Sequence, residues 1–296
     1  MTRPDFTLDL GLVRRRAERA ARGASIPDPL AREVARRMGE RLEYIRLSPK
    51  RVLDVGCGAQ ADRPVLRAHY PQASYLGIDF ASSTLPPGQA AGGFLQRLFG
   101  VGRGPGGLPV CADARFLPLA RNSVSLVWSN LMLNWLHDPM PALLEMHRVL
   151  EVGGLLMFST LGPDTLKELR GTLPGHRGDR VHRFIDMHDL GDALVKAGFS
   201  DPVMDMEMIT LTYGDLNGLL ADLRGAGATN AATTRPRGLA GKTEWAKARA
   251  DYPRQPEDGR LPASFEVIQG HAWKMAPTVT ADGRSVIRFD PKVRRP

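Results

Sequence analysis

The segment Val52-Leu53-Asp54-Val55-Gly56-Cys57-Gly58 constrains the fold of this chain more than any other. A short apolar strand ends there in glycines, which permit a tight turn and let backbone approach a ligand closely. A helix is expected to follow, reaching about His69, and then a second strand over Ser74 to Ile78. Gly56 to Ala61 matches the G-x-G-x-x-G/A pattern of dinucleotide sites, which taken alone leaves NAD open as the ligand.

Downstream the alternation continues. Strands are expected near 109–112, 124–129, 154–160 and 202–211, and helices at 140–150 and at 186–198, the latter closed by Gly198. Residues 214–255 read as polar and helical, and Phe265 to Trp273 as a last strand returning to the sheet after a helical insertion. Helices alternating with short apolar strands predict an α/β fold, a Rossmann-like sheet of seven mostly parallel strands with helices on both faces. Residues 9–47 read as two basic amphipathic helices broken at Pro27-Asp28-Pro29, and 86–108 as a mobile Gly/Pro-rich surface loop. The expected units are an N-terminal basic helical cap (1–50), a core (51–211), a helical insertion or lid (212–262) and a last strand with its tail (263–296). No internal repeat is visible.

Strand ends carry the candidate ligand groups. Asp79 ends the second strand, where a carboxylate can accept both ribose hydroxyls of either NAD or S-adenosylmethionine. Asp113-Ala114 ends the third, where a carboxylate can accept from the exocyclic amine of adenine, and Asn130 ends the fourth. With Asp54, Gly56 and Gly58 these form one pocket beyond the carboxyl ends of the strands, where such sheets bind ligands. Competing structural roles are plain: Asp54 can hold the glycine turn, Asp79 and Asp113 can be turn residues, and Asn130 can cap the following segment. Cys57 and Cys111 read as small packing residues.

The composition supports a sizeable core: 43% of the 296 residues are hydrophobic. No apolar run follows Met1 to Asp5, and the longest, near Leu155 to Leu161, is too short for a bilayer, so neither a secretory signal nor a membrane span is expected. Two cysteines make no disulfide framework and point to a reducing cytoplasm. The net charge of +8, concentrated at Arg14, Arg15, Arg16, Arg19, Arg22, Arg32, Arg36, Arg37 and Arg41, favours an acidic partner or else a solvated helix face. Without zinc-finger spacing or aromatic–basic interleaving, nucleic acid is disfavoured.

Val52 to Gly58, Asp79, Ala112-Asp113-Ala114 with Leu117-Pro118, and Val127 to Leu136 resemble the motifs of class I methyltransferases, which implies S-adenosylmethionine as cofactor. The chain departs from many members in having Gln60 two residues after Gly58, where they carry glycine. Leu126 to Leu136, Phe158 to Arg170 and His182 to Leu190 resemble more narrowly the malonyl-[acyl-carrier-protein] O-methyltransferases of biotin synthesis. The likeness runs from about Val13 to Asp290 and includes Gly227 to Ala231 and Gly270 to Trp273. At two N-terminal positions where that family often has an aromatic and a Tyr facing the cofactor, this chain has Ala17 and Ala24.

The resemblance implies methyl transfer to a free carboxylate on a malonyl thioester of acyl carrier protein or coenzyme A, by a monomer. Such a carboxylate is already ionised at neutral pH, so no general base is expected. What the pocket needs is a cationic fork, and Arg170, Arg183 and His182 are the candidates beyond the fifth strand. Against them stand a solvated Arg170, an Arg183–Asp186 ion pair, and a packing role for His182. Trp135 reads as core or pocket wall. Two rival functions stay open. One is methylation of another small acid or a quinone precursor. The other is a non-methylating assembly factor for respiratory complex I, resembled around Asp164-Thr165-Leu166 and Glu168-Leu169-Arg170.

Overall fold

The computed structural model describes residues 7–23, 28–84, 108–172, 180–236, 238 and 241–276. Most of the 86–108 loop with Phe94 to Phe99, Arg97 and Arg103, the position of Ala24, and the tail reaching Asp290 lie outside the described residues.

Seven strands form one sheet: β1 (Arg51–Val55), β2 (Ser74–Asp79), β3 (Leu108–Cys111), β4 (Val124–Ser129), β5 (Leu150–Leu161), β6 (Ser200–Tyr213) and β7 (Leu261–Trp273). Their order is β3-β2-β1-β4-β5-β7-β6. The first five pair in parallel, and β7 lies antiparallel between β5 and β6. This is the expected mostly parallel sheet, with the last strand returning to it as anticipated. The order reverses between β1 and β4, so the carboxyl ends of β1 and β4 flank a crevice, the place for a ligand.

Among the described residues the α-helices are α1 (Leu10–Gly23), α2 (Pro29–Leu42), α3 (Arg63–His69), α4 (Met140–Val149), α5 (Lys167–Thr172), α6 (Met187–Lys196), α7 (Leu216–Gly225) and α8 (Lys242–Asp251). The break between α1 and α2 has a local cause. The Asp28 carboxylate accepts from Leu30 N (2.9 Å) and Ala31 N (3.4 Å), and Pro29 occupies the first turn, where no backbone donor is needed.

α2 buries Leu30, Val34, Ala35, Met38 and Leu42 on one sheet face, against Val52, Trp128, Leu155 and Met157. On the other face α4 and α6 bury Leu143, Met146, Leu190 and Leu194 against Leu53, Val55, Val127 and Leu156. The alternation Val52/Leu53 and Val127/Trp128 thus sends successive side chains to opposite helix layers. α6 ends as expected: Gly198, at φ +97°, packs against the His147 ring, and Phe199 N returns to Leu194 O at 3.1 Å.

Three boundaries differ from expectation. No helix follows Gly58 directly; turns run to Asp62 and α3 begins at Arg63. β5 starts at Leu150 and not near 154, because the strand continues back through Gly154 and Gly153 (φ +84°), with a register shift against β4. β7 starts at Leu261, since β6 runs on to Tyr213 and pairs with it there.

The two N-terminal helices separate. While α2 packs into the core, α1 is tied to the segment after α7: Leu8 bridges Ala232, Asp9 N donates to Ala231 O, and Arg16 donates to Thr229 O at 2.8 Å. No helix among the described residues is long and apolar enough to cross a membrane.

Candidate active site

Beyond the ends of β1, β2 and β3 lies a cleft of about 910 Å³, open to solvent. Gly56, Asp79, Phe80, Ala112, Asp113 and Ala114 form its floor. Leu131, Met132 and Trp135 form one side, and Leu10, Val13 and Ala17 of α1 with Ala226 and Gly227 close it from above.

Gly56 must be glycine here. Its φ is +82°, and a Cβ would run into the Met132 side chain. Its N–H and that of Cys57 both donate to Ile78 O (2.8 and 3.0 Å), stitching the loop to β2. Gly58, at φ +48°, donates its N–H to Asp79 Oδ2 at 2.9 Å, while Ala81 N donates to Oδ1 at 2.8 Å. The Asp79 carboxylate is therefore aimed by backbone, each oxygen held by one N–H. Asp113 is gripped by Arg115, through the backbone N–H (2.9 Å) and the guanidinium (2.7 Å at Oδ2). Burial works to raise its pKa, and Arg115 more than reverses this, holding the carboxyl below its usual range.

Three of the residues selected from the sequence lie outside the lining of the cleft. Asp54 is buried beneath the glycine loop and accepts from Tyr75 Oη at 2.6 Å. Burial, then the carboxyls of Asp62 and Asp79, push its pKa well above the ordinary range. Neither Asp54 nor Gly58 is among the residues lining the cleft. Asn130 turns its amide away from the cleft: it donates to Ala31 O on α2 (2.9 Å) and accepts from Ser159 Oγ (2.8 Å). Its side chain fastens the end of β4 to α2 and β5. Gln60, in place of the family's glycine, adopts φ +62° and is buried. Cys57 is buried with its thiol pKa pushed up, first by burial and then by Asp54 and Asp79, an inert packing group.

A second cavity, of about 1,000 Å³, adjoins the first. Leu166, Leu169, Phe184, Leu220, Leu223 and Trp245 give it apolar walls, and four guanidinium side chains reach it, from Arg16, Arg180, Arg224 and Arg235. The two spaces share their boundary. α1 turns Val13 and Ala17 to the cleft and Arg16 to the cavity, and the chain after α7 lines the cleft with Ala226-Gly227 and the cavity with Ala228-Thr229-Asn230. Trp135, in the wall of the cleft, meets the ring of His182, in the wall of the cavity, edge to face at 5.6 Å between centroids.

Of the three proposed carboxylate anchors, only His182 reaches either space. It is 5% exposed and packed edge-on against Phe184 as well as Trp135. Burial, then the cations of Arg170 and Arg16, lowers its pKa to about 4, so it is neutral at pH 7. Arg170 directs its guanidinium at the carbonyls of Pro163, Thr165 and His182, at 3.4–3.5 Å, bracing the β5–α5 turn to the segment before α6. Arg183 is solvent-exposed, and Asp186 caps α6 through His188 N (2.8 Å). The cavity's own guanidinium residues went unselected in sequence. The signal for Arg16 is its one-residue offset from Ala17 on a helix whose other face is apolar; Arg180 carried only its nearness to His182.

Comparison with known proteins agrees with this geometry. A model described as a methyltransferase domain matches residues 53–158. A malonyl-[acyl-carrier protein] O-methyltransferase from Gallionella capsiferriformans (strain ES-2) is 47% identical, covering 98% of this chain and 99% of its own. One of the same name from Laribacter hongkongensis (strain HLHK9) is 48% identical over 97% of each. The crystal structure of YcgJ from Bacillus subtilis, 12% identical, shares the fold with a TM-score of 0.54 over 81% of this chain and 98% of its own. With near-full-length identity at this level, and a glycine-and-aspartate cleft lying beside a guanidinium-lined cavity, the chain belongs to the malonyl-[acyl-carrier protein] O-methyltransferase family.

Proposed function

We propose that this protein methylates the free carboxylate of a malonyl thioester on acyl carrier protein, giving the methyl ester used in biotin synthesis. The observation that carries the reading is the shared boundary of the two spaces, one fitted to a nucleoside and the other to an anionic acceptor. S-adenosylmethionine is the methyl donor, and it fits the cleft: Gly56 leaves room for close approach, Asp79 presents a pre-aimed carboxylate for the ribose, and Asp113-Ala114 bound the adenine end.

Bound there, the donor supplies an electrophilic methyl on a sulfonium. A carboxylate oxygen forms the new O–C bond as the C–S bond breaks, and no proton moves. The residues of this chain therefore orient, exclude water and hold an anion, effects that reach about 7–11 kcal/mol when reacting groups are well aligned. Neutral His182 with Trp135 and Phe184 forms an apolar partition at the junction of the two spaces. The ester product is neutral, so its attraction to the guanidinium groups disappears on turnover and release is favoured.

The test is ester formation by the full chain from methyl-labelled S-adenosylmethionine, with malonyl carrier protein against a panel of other acids and quinone precursors. Selective labelling of the malonyl thioester is expected. Preferred labelling of another acceptor would overturn the substrate, and labelling of none would overturn the enzymatic reading in favour of an assembly role.

A further inference from the structure

Among the cationic side chains around the two spaces, most have their donors committed to protein. Arg170 is occupied with three carbonyls. Arg16 uses its Nη1 on Thr229 O and Asn230 O. Arg235 donates to Ala232 O at 2.9 Å and stands 3.7 Å from Asp9 Oδ2. Arg115 is locked to Asp113. Arg180 differs: it lines the cavity, and its Nε is buried with no hydrogen-bond partner among the described residues. A buried guanidinium N–H without an acceptor is costly unless an acceptor arrives with a ligand.

The surroundings specify the charge of that ligand. Arg16, Arg180, Arg224 and Arg235 line one cavity, with no Asp or Glu among the described residues of its wall; the nearest carboxylate named against them is Asp9, 3.7 Å from Arg235. The cations of Arg16 and Arg235 oppose one another: burial first, then Arg235, depresses the Arg16 pKa. An anion relieves both the repulsion and the vacant Nε. The apolar remainder of the wall, with Leu220, Leu223 and Trp245, suits an uncharged acyl or thioester chain.

We propose that Arg180 is the specificity-determining anchor of the acceptor carboxylate, binding it by charge-assisted hydrogen bonds beside the uncommitted face of Arg16. This assignment rests on the methyl-transfer reading above and replaces Arg170 and Arg183 as carboxylate forks. Arg170 is then a positioning residue, holding the carbonyl of His182 and so the segment that carries Arg180. The carboxylate binds with one oxygen toward the forks and the other free to attack.

The test compares the wild type, Arg180→Gln and Arg180→Lys for ester formation on malonyl carrier protein, with S-adenosylmethionine affinity measured by calorimetry in each. Arg180→Gln is expected to lose about 10- to 100-fold in kcat/KM, the scale of a lost hydrogen bond to a charged group. Cofactor affinity should stay unchanged, and Arg180→Lys, which keeps the charge but not the fork, should recover part of the loss. A measurement on the wild type alone guards against misfolded variants: malonyl-N-acetylcysteamine should bind at least about tenfold tighter than its methyl ester. Wild-type turnover with Arg180→Gln within about twofold of it, or equal binding of acid and ester, overturns the anchor. Absence of wild-type turnover on malonyl carrier protein overturns the substrate reading instead, so the two failures are distinguishable.

Discussion

Asp79 shows how a short acidic side chain becomes a binding group through its neighbours. Two backbone N–H groups, from Gly58 and Ala81, fix its oxygens before any ligand arrives. Asp79→Ala is expected to weaken S-adenosylmethionine binding by about 1.5–3 kcal/mol, read by calorimetry; an unchanged dissociation constant would remove Asp79 from the site. Part of the effect will come through the glycine loop, so Asp79→Asn, which keeps one acceptor, should fall between. The buried His182 offers a second measurement. Its folded pKa near 4 lies below the ordinary 6.5. Between these values the unfolded state binds more protons, so stability is full above about pH 6.5 and is lost as pH falls toward 4, by at most ~3 kcal/mol. In denaturant titrations the stability gap between wild type and His182→Phe should therefore shrink, or reverse, from pH 7 to pH 4.5. A constant gap would mean that the ring titrates as if in water. His147 and His271, also lowered by burial, act with the same sign but are common to both proteins.

At the scale of elements, α1 does two unrelated jobs with its two sides. Leu10, Val13 and Ala17 roof the cleft, whereas Arg15, Arg19 and Arg22, spaced four and three residues apart, are exposed along one outward stripe. Much of the remaining early charge is paired: Arg14 with Glu18, Arg36 and Arg37 with Glu33, Arg37 with Glu207, and Arg41 with Asp205. If the protein docks an acidic carrier by charge, as its proposed function implies, this stripe offers the exposed cations for it. Reversing all three charges to Glu should lower kcat/KM on malonyl carrier protein by roughly tenfold or more, mainly through encounter rate. The same variant should leave malonyl-N-acetylcysteamine turnover nearly unchanged, and equal losses on both substrates would place the defect in the roof of the cleft instead.

Gly56, Asp79 and Asp113 were legible because each belongs to a strand end whose role is set by its own strand and the next. What the Asn130 side chain bonds to was not legible, because its partner is a carbonyl on α2, 99 residues earlier. Arg16, Arg180, Arg224 and Arg235 were illegible as a group, since they come from α1, the segment before α6, the end of α7 and the chain after it, and only packing assembles them. The seven-stranded, mostly parallel sheet and the return of its last strand were anticipated in kind; the strand order was not. The bulged start of β5 was not, because a Gly-Gly pair inside a strand looks like a turn until its pairing is known.

For the whole molecule the governing quantity is its charge of +8. An acidic partner is then steered to it over distances comparable with the Debye length, about 10 Å at 0.1 M salt. Catalytic efficiency on malonyl carrier protein should fall steadily as ionic strength rises from low to physiological, with the small thioester much less affected. A flat salt profile for the carrier would exclude docking by charge.

The placing of β7 bears on how the protein comes into being. This strand is made after every other element described, yet it sits between β5 and β6 and is bonded to both. During synthesis β6 has no neighbour in the sheet until Leu261–Trp273 has left the ribosome. Until then β5 exposes its outer edge and β6 is a long strand with neither edge paired, features that invite wrong partners. Folding of this half of the sheet is thus a late, nonlocal closure, slow by its topology. A nascent chain stalled before residue 261 should accordingly be protease-sensitive through β6, and a chain released only a few residues beyond 273 should be protected.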